Sequence, residues 1–76
     1  MKLAMVEWVD SCHTSGWRSK SDALTNGISR CQTVGILAYK DREQVKILQS
    51  VSGSDCDMIM CIPKCAITRM RYLKVK

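Results

Sequence analysis

The sequence predicts an all-β protein, a small antiparallel barrel of five strands with one short helical turn, in a single domain over residues 1–76. Three observations lead there. Short apolar stretches are separated by polar clusters of turn-forming residues, as strands and their turns are. The only proline stands between the last two stretches, where it fixes φ and withholds a ladder donor. Gly35 interrupts an otherwise strand-like run, as a small barrel needs at a corner.

The elements follow in order. Lys2 to Asp10, rich in valine, methionine and tryptophan, reads as the first strand. Thr33 to Tyr39, TVGILAY, sets Val34, Ile36 and Ala38 against Thr33, Gly35, Leu37 and Tyr39 and reads as the second. Val45 to Val51, VKILQSV, is the third, and the polar KDREQ between them suits a hairpin. SGSD at 52–55 is a turn of the usual turn formers. Met58 to Ile62 is the fourth strand and Ile67 to Val75 the fifth. Between these two, IPKCAI predicts a single 3₁₀ turn started by Pro63, and such an ending is common in SH3-like barrels. RSKSDALTNGISR at 18–30 is the irregular part. Ser21 there is a candidate cap for a turn through Asp22, Ala23 and Leu24, stopped by Asn26-Gly27. Asn-Gly is also a hairpin signal, and both readings remain open.

Size and composition bound the function. A chain of 76 residues buries only about 60% of its unfolded surface, so staples or association are expected. Hydrophobic residues are 46% and charged residues 25%, an ordinary globular balance. No apolar run approaches the roughly 18 residues of a membrane span, and MKLAMVEWVD has no signal-peptide pattern. The expectation is a soluble, cytoplasmic protein with no membrane partner. Five cysteines, an odd number, fit reduced thiols, and three alternate with apolar residues as small core side chains do. Cys56, Cys61 and Cys65 with Cys12-His13 lack a Cys-x-x-Cys knuckle, so neither metal nor cofactor is expected.

The net charge of +5 is unevenly placed. Residues 1–63 sum to zero, and the excess sits in KCAITRMRYLKVK, as Lys64, Arg69, Arg71, Lys74 and Lys76. Such a stripe attracts phosphates, and it also guards an edge strand against pairing.

Catalytic parts are sparse. His13 is the only histidine, its polar neighbours are adjacent in sequence, and no glycine-rich phosphate loop exists. An enzyme is not expected. The stretch VEWVDSCHTSGW stands out because it holds both tryptophans around a polar cluster. Asp10 and Ser11 have a structural use as acceptors in a turn, and Trp17 one as a plug for the barrel mouth. The alternative use is a site where an aromatic face stacks a nucleobase and the polar groups read its edge.

Val6, Trp8, Asp10 and Ser11, then Gly16-Trp17, then Thr33, Val34, Gly35 and Leu37, then Ile62, Pro63, Lys64, Ala66 and Ile67 form a pattern across nearly the whole chain. It resembles small uncharacterised accessory proteins of tailed bacteriophages. That resemblance implies a role in handling the host, in the host cell cytoplasm; such proteins include oligomeric sponges for nucleotide immune signals and anti-CRISPR inhibitors. A second likeness is to Sm-like RNA-binding proteins, carried by Val34 to Leu37 and Val45 to Leu48 around a hairpin. The loop Asp41 to Gln44 lacks their base-holding asparagine, and Thr68 to Arg71 lacks their arginine-glycine pair. The likeness therefore implies topology and not the RNA pocket.

Three functions follow as expectations. In the first, a homo-oligomer sequesters a small anionic nucleotide, with Trp8 or Trp17 stacking, Asp10 and Ser11 hydrogen bonding, and Arg18, Arg30 or Lys64 on the phosphates. In the second, nucleic acid binds the basic end through Lys64, Arg69, Arg71 and Lys74. In the third, a barrel surface with Met58, Met60 and Met70 inhibits a host defence protein.

Overall fold

A computed structural model describes residues 1–76. Five strands form one antiparallel sheet: β1 (Leu3–Asp10), β2 (Ser29–Lys40), β3 (Gln44–Ser52), β4 (Asp55–Pro63) and β5 (Ile67–Leu73), in spatial order β4-β3-β2-β1-β5. A short helix, α1 (Lys20–Thr25), lies between β1 and β2, and a 3₁₀ turn, η1 (Lys64–Ala66), between β4 and β5. The all-β class and the five strands agree with the sequence.

β2 is the spine. Its first part, Ser29 to Ile36, pairs with β1, while Ile36 to Lys40 pairs with β3. The changeover comes at Ile36, and packing explains the glycine just before it. A Cβ there would lie 2.5 Å from the Leu48 carbonyl oxygen and 2.6 Å from Ile47 Cγ2, closer than any side chain tolerates. A register shift between Leu37 and Tyr39 marks a bulge at Ala38, which adds to the bend.

The barrel is not closed, which corrects the sequence expectation. β4 and β5 are the two free edges of the sheet. They approach at one corner only, where η1 carries the chain across. There the Lys64 N–H donates to the Glu43 carbonyl at 2.7 Å, and Ile67 takes its place opposite Trp8. Away from that corner β4 follows β3 and β5 follows β1, so no ladder joins them.

The core is small. Ala4, Val6, Val45, Ile47 and Ile62 are buried, and Trp8, Leu37, Ile67 and Met70 pack against them. None of the cysteines is among these nine. Cys31 is half-buried and Cys12, Cys56, Cys61 and Cys65 are exposed, so the expected core thiols are absent. In the fourth strand Cys61 takes the outward face beside buried Ile62, and Cys56 lies opposite exposed Val51, where the strand has run past the core.

Turns follow local chemistry. Asp41 caps the β2–β3 turn, its Oδ1 accepting the Glu43 and Gln44 N–H groups at 2.7 and 2.9 Å. Tyr39 O–H donates to Asp41 Oδ2 at 2.8 Å. The Gln44 N–H, then the Tyr39 hydroxyl, hold the Asp41 carboxyl below its ordinary pKa, and the same hydrogen bond raises the Tyr39 phenol. Gly53, φ +58°, occupies the first position of the two-residue β3–β4 turn, where a type II′ turn needs positive φ. α1 is capped by Ser19, whose Oγ accepts the Asp22 N–H at 3.1 Å. Ser21, expected as the cap, sits inside the helix, its Oγ 3.0 Å from Ser19 Oγ. Asn26 ends the helix with extended backbone, so Asn-Gly makes no hairpin here.

Two parts stand away from the core. Every residue from Asp10 to Ile28 is exposed, and so is every residue from Gln49 to Cys61. The radius of gyration is 16.0 Å, against about 11 Å for a compact chain of this length. In the second part Met58 adopts φ +57°, a left-handed conformation that costs a methionine on the order of 1–3 kcal/mol.

Candidate functional site

The largest cleft, of about 590 Å³, lies where β1, β2 and β5 meet. Glu7, Trp8 and Val9 line it from β1, Arg30, Cys31 and Gln32 from β2, and Thr68 from β5. Antiparallel register assembles this set. Glu7 stands opposite Gln32, Trp8 opposite Cys31 and Val9 opposite Arg30.

Alternation then divides the residues between two faces. Trp8 shares the inward face with Val6 and Ala4, and its ring packs on the core while Nε1–H donates to Thr33 Oγ1 at 3.0 Å. That hydrogen bond satisfies the indole inside the sheet and fixes the ring plane. Glu7, Arg30 and Gln32 lie on the other face, and Gln32 Nε2 donates to Glu7 Oε1 at 3.4 Å.

β5 contributes through a bulge. Glu7 pairs with Arg69 and Trp8 with Ile67, which leaves Thr68 as the extra residue. The bulge turns Ile67 inward and Arg69 outward although they are two apart, and it aims Thr68 at the cleft. The Thr68 hydroxyl donates to the Glu7 carbonyl at 3.1 Å and so occupies an acceptor in the interrupted ladder. Arg69 and Arg71 therefore share the outer face with Glu7 and Arg30.

Of the residues singled out in the sequence, Trp8 and Arg30 come together in this cleft. Arg18 lines a second hollow of about 330 Å³ with Thr14, Asp22, Thr25 and Asn26. Asp10 accepts the Ser11 N–H at 2.8 Å through Oδ1, a local turn contact, and neither residue reaches a cleft. Trp17 is fully exposed and plugs nothing. Lys64 is exposed in η1, and Lys74 lies past the end of β5. Sequence reasoning missed Glu7, Val9, Cys31, Gln32 and Thr68. Pairing register would have found the first four, and the bulge that presents Thr68 has no sequence signature. No three His, Cys, Asp or Glu side chains converge as metal ligands would. No helix is long and apolar enough to cross a membrane.

Comparison with protein-family models, with curated proteins and with solved structures finds no match.

Proposed function

We propose that the protein binds a small anionic nucleotide in the Trp8–Arg30 cleft and holds it without chemical change. One observation carries this reading. The Arg30 guanidinium and the Glu7–Gln32 carboxylate–carboxamide pair share one face of the sheet at a cleft of about 590 Å³, a size typical of small-molecule sites. Arg30 supplies a planar, permanently charged donor for a phosphate. Glu7 and Gln32 offer acceptors and donors to a base edge, and Trp8, bonded to Thr33 on the core side of the sheet, fixes the strands that carry them. In the bacteriophage setting suggested by the sequence pattern, such binding would withdraw a nucleotide immune signal from its receptor by mass action.

The test is titration calorimetry with a panel of mononucleotides, dinucleotides and cyclic nucleotides. Arg30→Glu is expected to weaken the best ligand at least about tenfold, or about 1.4 kcal/mol, with the fold intact because Arg30 is exposed. No binding by any nucleotide sinks the reading.

A second reading rests on Arg30, Arg69 and Arg71 sharing one face of the sheet. Such a face suits a phosphate backbone. Oligonucleotide affinity that falls steeply with salt, in a protein indifferent to mononucleotides, would select it instead.

A further inference from the structure

We infer that two copies of this chain associate by seating the β3–β4 arm of one copy against the segment 11–28 of the other. The exposed area comes first. A compact protein of 8.6 kDa exposes about 4,700 Å², so this chain, at 6357 Å², exposes roughly 1,700 Å² too much. A stable interface needs about 800 Å² from each partner, and the surplus exceeds that.

The surplus is localised. It lies in the two stretches exposed throughout, Asp10 to Ile28 and Gln49 to Cys61. The arm is a continuation of the core ladder. Ile47 opposes Met60, and Val51 falls four residues further along the same face of β3. Val51, Met58 and Met60 thus prolong the row of Val45, Ile47 and Ile62 beyond the place where the chain has anything to cover it. A two-stranded hairpin of this kind is marginal alone in water. Segment 11–28 has its own uncovered apolar side chains, Trp17, Leu24 and Ile28.

Charge selects the pairing. Asp55 and Asp57 are the only charged residues between Ile47 and Pro63. Segment 11–28 carries Arg18 and Lys20 against Asp22, with Arg30 just beyond. Two arms facing each other would repel, whereas an acidic arm on the basic segment is attracted and repeats symmetrically across a two-fold axis. The left-handed Met58 sits in the middle of the arm's apolar row.

This association does not rest on the ligand reading, and sedimentation equilibrium of the full chain tests it. The expected mass is that of two chains. Asp55→Lys with Asp57→Lys is expected to weaken association at least tenfold, as is Arg18→Glu with Lys20→Glu. All four positions are exposed, so circular dichroism is expected unchanged in both variants. Mixing the two variants is expected to restore pairing. Maleimide labelling of Cys12 and Cys56 is expected to be slower than that of Cys65, which lies outside both surfaces. A single chain at all accessible concentrations overturns the inference, and so does an oligomer indifferent to both charge reversals. Protected Cys12 and Cys56 in a single chain would also overturn it, since the arm would then fold onto its own segment. A nucleotide-binding monomer defeats this inference alone, and a dimer that binds no nucleotide defeats the ligand reading alone.

Discussion

β3 contains two regions with the same ladder and opposite surroundings. Val45 and Ile47 are buried, while Gln49 and Val51, on the same face and paired to the same neighbour strand, are exposed. The hydrogen bonds with β4 continue throughout, so backbone pairing is not what separates the two regions. The first has β2 on its other side and β1 behind it, and the second has neither, because before Ile36 β2 pairs with β1 alone. Burial in this protein is decided by where β2 changes partner. The two tryptophans repeat the contrast, Trp8 held against the core and Trp17 free of it.

The tryptophans give the largest test of that contrast. Trp8→Ala removes a core-packed ring and orphans the Thr33 hydroxyl, with an expected loss of about 3 kcal/mol in denaturant unfolding. Trp17→Ala is expected to stay within about 0.5 kcal/mol in the dissociated chain, as a surface change does. Equal losses would abolish the distinction between core and outlying segment. Gly35→Ala forces a Cβ into the Leu48 carbonyl and the Ile47 side chain, for an expected cost of about 1–3 kcal/mol. Gly27→Ala, with open space around it and no positive φ, serves as the outlying control and is expected to be neutral by the same thermal melts. Thr68→Val keeps the shape and removes one hydroxyl bond at the bulge, an expected loss of about 1 kcal/mol.

The smallest effect concerns acid. Asp41 is held below its ordinary pKa, so its contribution to stability is complete above the unfolded carboxyl value, about 3.9, and is lost as pH falls through the lower folded value. Melting temperature followed downward from pH 6 is expected to fall less steeply in Asp41→Ala than in the parent protein. An unchanged slope would remove Asp41 from the acid response of the β2–β3 turn.

Much of this architecture was legible in the sequence because its signals are local. The Pro63 start of η1, the hairpin between β2 and β3, the turn at 52–55 and the corner at Gly35 each follow from a few residues' stereochemistry, whereas the Asp41 cap of the β2–β3 turn was not singled out. β2 begins at Ser29, earlier than the apolar run suggests, because Ser29 to Gln32 owe their extended state to pairing with β1. The core thiols failed as an expectation for the same reason that Trp17 failed as a plug. A sequence pattern gives the face a side chain belongs to, and only tertiary pairing decides whether anything covers that face. The candidate cleft was half legible. Trp8 and Arg30 were conspicuous by type, but Glu7 and Gln32 become its residues through register, and Thr68 through a bulge.

The ladder between β1 and β5 has a consequence for how the chain folds. Glu7 and Thr68 are 61 residues apart in sequence, yet the hydroxyl of one binds the carbonyl of the other. β1 can pair with β2 early, but its other side stays open until β5 arrives, so loop-closure entropy is spent before the last ladder returns anything. Contact order of this kind places folding in the slow range for small domains, milliseconds to seconds. During that interval the unpaired edge of β1 is a template for other chains. The strand that finally covers it carries Arg69 and Arg71, gatekeeping charges that keep β5 itself from stacking on a neighbour while it waits.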